Sequence, residues 1–81
     1  MSKIPVLKAK EIIKFLESLG FKKVRQKGSH KFFRHPDGRT ATVPDHKGED
    51  LGRGIINKIL NDIEVTKEEF LKWYLKNKKK H

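Results

Sequence analysis

The spacing of apolar residues changes at Gly20, and this change constrains the fold more than any other feature of the sequence. Over residues 8–19, apolar side chains recur at every third or fourth position, which places them on one face of an amphipathic helix. After Gly20, aromatic and β-branched residues instead alternate with basic residues, as they do in β-strands. The sequence therefore predicts an α+β fold in which a helix precedes a small sheet.

Turn residues divide the central region into three predicted strands, over residues 21–26, 29–35 and 40–43. Lys27-Gly28 is predicted to form the first tight turn, because glycine supplies the positive φ that short hairpins need. Pro36 presets the backbone for the second turn, which continues through Asp37 and Gly38. These turns predict a three-stranded antiparallel meander.

Two further helices are predicted after the strands. Residues 51–63 carry isoleucine and leucine at helical spacing, with Asp50 as the predicted N-cap. Residues 67–77 follow Thr66, which is predicted to form a capping box with Glu69. The aromatic residues of this last helix share a face, which is more typical of a core or a protein interface than of a base-stacking surface. The apolar stripes predict that the helices cover one face of the sheet and leave the other open.

Length and charge narrow the class of protein. A chain of 81 residues can bury one modest core, so we expect a single domain over residues 1–81. Lysine and arginine number 20 against 10 acidic residues, which gives a formal net charge of +10. Such an excess favours phosphate-rich partners, because neutralised phosphates release counterions. Nucleic acid is the leading partner class, although an acidic protein or a merely solvated basic surface fits the same composition.

Several other classes of site are not expected. The sequence has no cysteine, which excludes a disulfide scaffold and a zinc site built on thiolates. Its histidines lack the spacing of helical metal motifs and its carboxylates are scattered, so we expect neither a metal nor another cofactor. No apolar run approaches the roughly 20 residues of a membrane span, and the N-terminus lacks the apolar region of a signal peptide. We therefore expect a cytoplasmic protein.

The segment KGSHKFF, residues 27–33, contains His30, the side chain best suited to catalysis. An imidazole near a ribose 2′-OH can remove its proton for attack on the adjacent phosphate, without a metal ion. Neighbouring cations would stabilise the charge that builds on the phosphoryl oxygens. From the residues alone, however, an ordinary surface histidine after a Gly-Ser turn fits the pattern better, and a basic surface can bind RNA without cutting it.

A run of motifs from Gly20 to Leu60 resembles the HicA family, the small toxins of bacterial type II toxin-antitoxin pairs. The motifs are R-Q-x-G-S-H, then H-P, then V-P-x-H, then a glycine-rich start to a helix that ends in I-L. The resemblance covers about half of the chain closely, and the first predicted helix also fits it. It implies a small fold like that of a double-stranded RNA-binding domain, with helices packed on a three-stranded sheet.

Members of this family act as mRNA interferases, which cut mRNA and stop translation until a cognate HicB antitoxin covers the site. The resemblance thus implies a metal-independent endoribonuclease with mRNA and a HicB-type antitoxin as partners. The alternative from another functional class is a non-catalytic module that binds double-stranded or structured RNA by shape and phosphate contacts. Residues Val65–His81 extend beyond the matched pattern, and either antitoxin contact or added packing fits them.

The resemblance assigns roles to individual residues. His30 is the histidine of the G-S-H motif and the expected general acid or base. His46 matches the histidine of the V-P-x-H motif and is a candidate for a second proton-transfer or phosphate-binding group, although a role in ordering its loop fits as well. His35 is assigned a structural role. The expected RNA-binding residues are Arg25, Lys27, Gly28, Ser29, Lys31, Phe32, Arg34 and Lys47.

Strand alternation leaves the orientation of the middle strand open, because each of its two sides carries one phenylalanine and one histidine. The family pattern has an aromatic residue at the position of Phe33, which implies that Phe33 is buried. We therefore expect a core that also contains Val24, Ala41 and Val43, while His30, Phe32 and Arg34 face outward and Lys31 lies on the opposite side. A partly exposed Phe32 can stack on a base, which is worth about 1–3 kcal/mol, but a plain exposed phenylalanine fits equally.

Overall fold

The computed structural model describes residues 6–78, which form three helices and two small antiparallel sheets. The main sheet has the order β2-β3-β4, and the second sheet is the short pair β1-β5. The strands are β1 (Leu7–Lys8), β2 (Lys22–Lys27), β3 (His30–Arg34), β4 (Thr40–Pro44) and β5 (Asp50–Leu51), and the helices are α1 (Ala9–Ser18), α2 (Arg53–Asp62) and α3 (Lys67–Lys78). The predicted α+β class is confirmed, and the arrangement is compatible with a small double-stranded RNA-binding-domain-like fold.

Helix α1 ends at Ser18, two residues before the glycine where the sequence pattern changes. Gly20 has a φ of +102°, the left-handed conformation that glycine adopts without strain. The N–H of Gly20 donates to the carbonyl of Glu17 at 3.0 Å, and the N–H of Phe21 donates to Leu16 at 3.0 Å. This pair of bonds is a Schellman motif, which satisfies the last carbonyls of the helix. It also turns the buried Phe21 back towards the core and directs the chain into β2.

One face of the main sheet packs against the helices. Phe33, Ala41 and Val43 are buried on this face, as predicted. The aromatic face of α3 joins the same core, because Phe15 of α1 meets the ring of Phe70 edge-on, with centroids 5.0 Å apart. The buried residues are Leu7, Ala9, Ile12, Phe15, Leu16, Phe21, Phe33, Ala41, Val43, Leu51, Ile56, Ile59, Leu60, Ile63 and Phe70. The opposite face of the sheet is open.

The prediction that Val24 belongs to the core is wrong. The residue is 59% exposed. Lys23 pairs with Phe33 and Arg25 pairs with Phe32, so Val24 has no partner residue on β3. Such a β-bulge adds one residue to a strand and interrupts the regular alternation of its two sides. The alternation assumed for β2 therefore fails at this position.

Two local predictions are also corrected. Gly52, not Asp50, is the N-cap of α2, because Asp50 pairs with Lys8 in the β1-β5 ladder. The first turn consists of Gly28-Ser29, since Lys27 already pairs with His30. Gly28 has a φ of +59° at the first central position, as a type II′ hairpin turn requires.

The beginning of α3 agrees with the sequence. Thr66 Oγ1 accepts a hydrogen bond from the N–H of Glu69, and Glu69 Oε1 accepts one from the N–H of Thr66, both at 3.1 Å. The predicted capping box is confirmed. Within residues 6–78, none of the helices is both long enough and apolar enough to cross a lipid bilayer.

Candidate functional site

The turn between β2 and β3 meets the loop after β4 at one end of the main sheet. Pro44 lies opposite His30 in the β3-β4 ladder. One residue further, the N–H of Asp45 donates to the carbonyl of Ser29 at 2.7 Å. The strand pairing thus extends past β4 and holds the start of the loop against the hairpin turn.

Two exposed imidazoles come together at this junction. The ring centroids of His30 and His46 are 6.4 Å apart, and the ring planes are inclined by 79°. Ser29 Oγ lies 3.4 Å from Nε2 of His46. Residues that are 16 positions apart in the sequence therefore form one site on the open side of the sheet. Each ring is open to solvent and can reach a small group bound between them.

The other predicted RNA-binding residues of the sheet lie at different distances from this pair. Lys27 is the ladder partner of His30 and is exposed. The guanidinium of Arg25 lies 4.6 Å from the centroid of the Phe32 ring, so one face of this half-buried ring is already covered by a cation. Arg34 is at the far end of β3, about 13 Å from His30 at the usual rise of a strand.

Lys31 differs from the other predicted RNA contacts. It shares the inner side of β3 with Phe33, away from the imidazole of His30. Its Nζ donates to Oδ2 of Asp45 at 2.6 Å, and the two side chains are only 26% and 27% exposed. The structure therefore gives the Lys31 ammonium a carboxylate partner within the protein.

A cleft of about 300 Å³ opens beside His46, at the N-terminal end of α1. Lys47, predicted as a phosphate contact, lies on its wall. The first N–H groups of a helix have no partner within the helix, and they carry partial positive charge. The residues lining the cleft are Lys8, Ala9, Lys10, Asp45, His46, Lys47, Gly48 and Glu49.

The proximity of Lys8 and Lys10 to His46 was missed from the sequence. It depends on the pairing of β1 with β5, which brings the start of α1 next to the loop after β4. Strands of two residues are too short to produce an alternation pattern. No sequence signal could have found this contact.

His35 has surroundings unlike those of His30 and His46. The N–H of Asp37 donates to its Nδ1 at 3.1 Å, and its Nε2 lies 3.0 Å from the carbonyl of Leu19. Its ring also meets Phe21 edge-on, at 5.0 Å between centroids. Nε2 therefore connects the end of β3 to the end of α1, and Nδ1 holds the turn after β3, which agrees with the structural role predicted for His35.

Next to it, the backbone N–H of Arg39 donates to Asp37 Oδ1 at 3.0 Å, and its guanidinium donates to Oδ2 at 2.8 Å. The first of these bonds, aided by the second, lowers the pKa of the Asp37 carboxyl below its ordinary value. The carboxylate therefore serves the turn after β3. Within residues 6–78, no group of three or more histidine and acidic side chains is arranged to hold a metal ion.

A family model, the HicA toxin of bacterial toxin-antitoxin systems, matches residues 9–65. The chain belongs to the HicA toxin family. The match begins with α1, contains His30 and His46, and ends before α3. Membership in the HicA family makes the protein a toxin of a toxin-antitoxin system, which confirms the resemblance seen in its motifs. Among curated proteins, no sequence matches the chain significantly.

Proposed function

We propose that this HicA toxin is a metal-independent endoribonuclease that cleaves mRNA and is neutralised by a cognate HicB-type antitoxin. The observation that carries the proposal is the exposed His30–His46 pair, with 6.4 Å between ring centroids, at the edge of an open and basic sheet face. A pair of imidazoles supplies both proton transfers that RNA cleavage needs. The net charge of +10 supplies the attraction for the phosphate backbone.

In the proposed reaction, RNA provides its own nucleophile. One imidazole removes the proton from the ribose 2′-OH, and the 2′-oxygen attacks the adjacent phosphorus. The bond from phosphorus to the 5′-oxygen of the next nucleotide breaks, and the second imidazole gives a proton to that oxygen. The products are a 2′,3′-cyclic phosphate and a free 5′-OH. His30 and His46 share these two roles.

The remaining predicted contacts have separate tasks in this proposal. Lys27 is the ladder partner of His30, and Lys47 follows His46 in the chain. These two lysines bind the phosphates on either side of the cut. Gly28 has no side chain, so the substrate backbone can approach Ser29 and His46 at the turn. Ser29 orients the His46 ring through its hydroxyl.

The Arg25–Phe32 pair provides a surface for a neighbouring nucleotide further along the open face. A base stacks on the Phe32 ring only if the Arg25 guanidinium moves aside, or the base stacks on the guanidinium itself. Arg34 extends the basic path to the end of β3. RNA therefore crosses the open face from the cleft beside His46 towards Arg34.

Incubation of the purified protein with end-labelled RNA in EDTA tests this function. We expect discrete fragments from the wild type and from Thr42→Ala, which alters an exposed side chain of β4 on the same face. The His46→Ala variant should lose at least about 100-fold in rate, the usual contribution of a proton-transfer group. The non-catalytic alternative, favoured by the double-stranded RNA-binding-domain-like arrangement of the fold, predicts bound but intact RNA from every variant.

A further inference from the structure

An ion pair lies directly behind the two imidazoles, on the inner side of the sheet. It joins Lys31 Nζ to Asp45 Oδ2 at 2.6 Å, and about three-quarters of each side chain is buried. By contrast, the partners of the Lys8–Asp50 pair are 48% and 55% exposed. Charges that are withdrawn from water interact more strongly and are screened less by salt than exposed ones.

The members of this pair are the chain neighbours of the two histidines. Lys31 follows His30, and Asp45 precedes His46. Successive side chains of β3 point to opposite faces, so His30 lies on the outer side and Lys31 on the inner side. In the loop after β4, the ring of His46 lies next to His30 and the carboxylate of Asp45 next to Lys31. The ion pair therefore connects the strand that carries one imidazole to the loop that carries the other.

Other contacts also hold the His46 loop. Asp45 donates its N–H to Ser29 at 2.7 Å, Glu49 donates its N–H to the carbonyl of His46 at 3.0 Å, and Lys8 Nζ donates to the carbonyl of Gly48 at 3.3 Å. Ser29 Oγ also lies 3.4 Å from Nε2 of His46. None of these contacts fixes the Asp45 side chain. The bond to Lys31 does, and it thereby limits how far His46 can move relative to His30.

We propose that Lys31 and Asp45 are positioning residues that hold His46 at the distance from His30 that cleavage needs, and that Lys31 does not bind RNA. This inference rests on the proposed ribonuclease function. It changes the role expected for Lys31 from the sequence. Because a shift of about 1 Å in a reacting group can lower a rate about 100-fold, an ion pair outside the substrate contacts can control turnover.

The test compares Lys31→Met with Lys27→Met, a matched removal of a lysine from the outer face. Cleavage is measured in EDTA across a range of RNA and salt concentrations. Lys31→Met and Asp45→Asn should each lower kcat about 10- to 100-fold, with KM and the salt dependence near wild type. Lys27→Met should instead raise KM and reduce the slope of log affinity against log salt by about 1.

Restoration of the ion pair supplies the second readout. The double variant Lys31→Glu/Asp45→Lys should cut RNA faster than either single change, and Lys31→Arg should retain most of the activity. The assay is run at a temperature where all variants are folded. Under that condition, a change in stability alone would not produce this recovery. If Lys31→Met behaves like Lys27→Met, or if both single variants keep the wild-type kcat, the inference is wrong.

A measurement without RNA separates this inference from the ribonuclease proposal. NMR spectra of the imidazole groups should show that Lys31→Met shifts the resonances of His46 and leaves those of His35 in place. If the wild type fails to cut RNA, the proposed ribonuclease function is wrong. The shift of the His46 resonances still tests the positioning contact in that case. Unchanged His46 resonances in both Lys31→Met and Asp45→Asn would overturn it.

Discussion

The two histidines at the ends of β3 have opposite surroundings. His30, at the start of the strand, is exposed and contacts a second imidazole. Within residues 6–78, its ring makes no hydrogen bond. His35 follows the end of the strand, is half-buried, and uses both ring nitrogens in contacts with the backbone. An imidazole with both nitrogens occupied cannot exchange a proton with a substrate unless these contacts break.

Tertiary partners, and not residue type, therefore separate a histidine that is open to a substrate from one that is held by the fold. Five positions along an extended chain place the two rings on opposite sides of the sheet. The inner position meets the end of α1 and the ring of Phe21, whereas the outer position meets solvent and the loop after β4. A substitution at His30 should therefore lower the cleavage rate, whereas a substitution at His35 should lower the stability.

The largest expected effect is on the rate and comes from His30→Ala. We expect at least about a 100-fold loss of RNA cleavage, because a proton-transfer group is removed. The free energy of unfolding should change by less than about 0.5 kcal/mol, since the side chain is exposed. Cleavage assays and urea unfolding measure the two quantities. A variant that cuts at the wild-type rate would remove the distinction between the two histidines.

His35→Ala should show the reverse behaviour. It leaves the carbonyl of Leu19 without its partner and removes the ring that packs on Phe21. We expect a loss of about 1–3 kcal/mol in the free energy of unfolding. The cleavage rate of the folded protein should stay within about threefold of wild type, well below the effect of removing a proton-transfer group. Equal stability of the variant and the wild type would contradict the structural role.

Gly20→Ala tests the contact between the end of α1 and His35. An alanine with a φ of +102° is strained, and its Cβ would lie 3.2 Å from Nε2 of His35. We expect destabilisation of about 1–2 kcal/mol, measured by thermal or urea unfolding. The matched change Gly54→Ala lies inside α2, where no atom lies near the added Cβ and alanine is the better helix former, so it should cost less. If Gly54→Ala destabilised the protein more than Gly20→Ala, the left-handed conformation described for Gly20 would be contradicted.

The smallest effect concerns Asp37 and pH. Its pKa is lowered in the folded protein, chiefly by the Arg39 backbone N–H, so the carboxylate contributes stability above its unfolded pKa. That contribution disappears as the pH falls from the unfolded pKa, about 3.9 for aspartate, through the lower folded one. The difference in stability between the wild type and Asp37→Asn should therefore shrink on acidification. Urea unfolding at about pH 6 and about pH 3 measures it, and a growing difference would contradict this sign.

Elements with strong local signals were predicted well from the sequence. The apolar stripe of α1, the glycine after it and the Thr66–Glu69 capping box each act within a few residues, so the pattern contains the cause. The bulge at Val24 and the β1-β5 pair depend on partners far away in the chain. The wrong predictions for Val24 and for the N-cap at Asp50 follow from this dependence.

The candidate site was also predicted only in part from the sequence. The motifs indicated both histidines, but they did not show that the rings lie together, because the register of β4 against β3 sets that distance. The ion pair between Lys31 and Asp45 was missed for the same reason. From the sequence, Lys31 was one more cation beside a candidate catalytic residue, and only the position of Asp45 gives it another partner.

The most direct test of the account uses an RNA that contains a single 2′-O-methyl group at a mapped cleavage site. The wild-type protein in EDTA should cut the unmodified strand to give a 2′,3′-cyclic phosphate and leave the modified position intact. Cleavage at the methylated position at the normal rate would show that the 2′-OH is not the nucleophile. The roles proposed for His30 and His46 would then be contradicted.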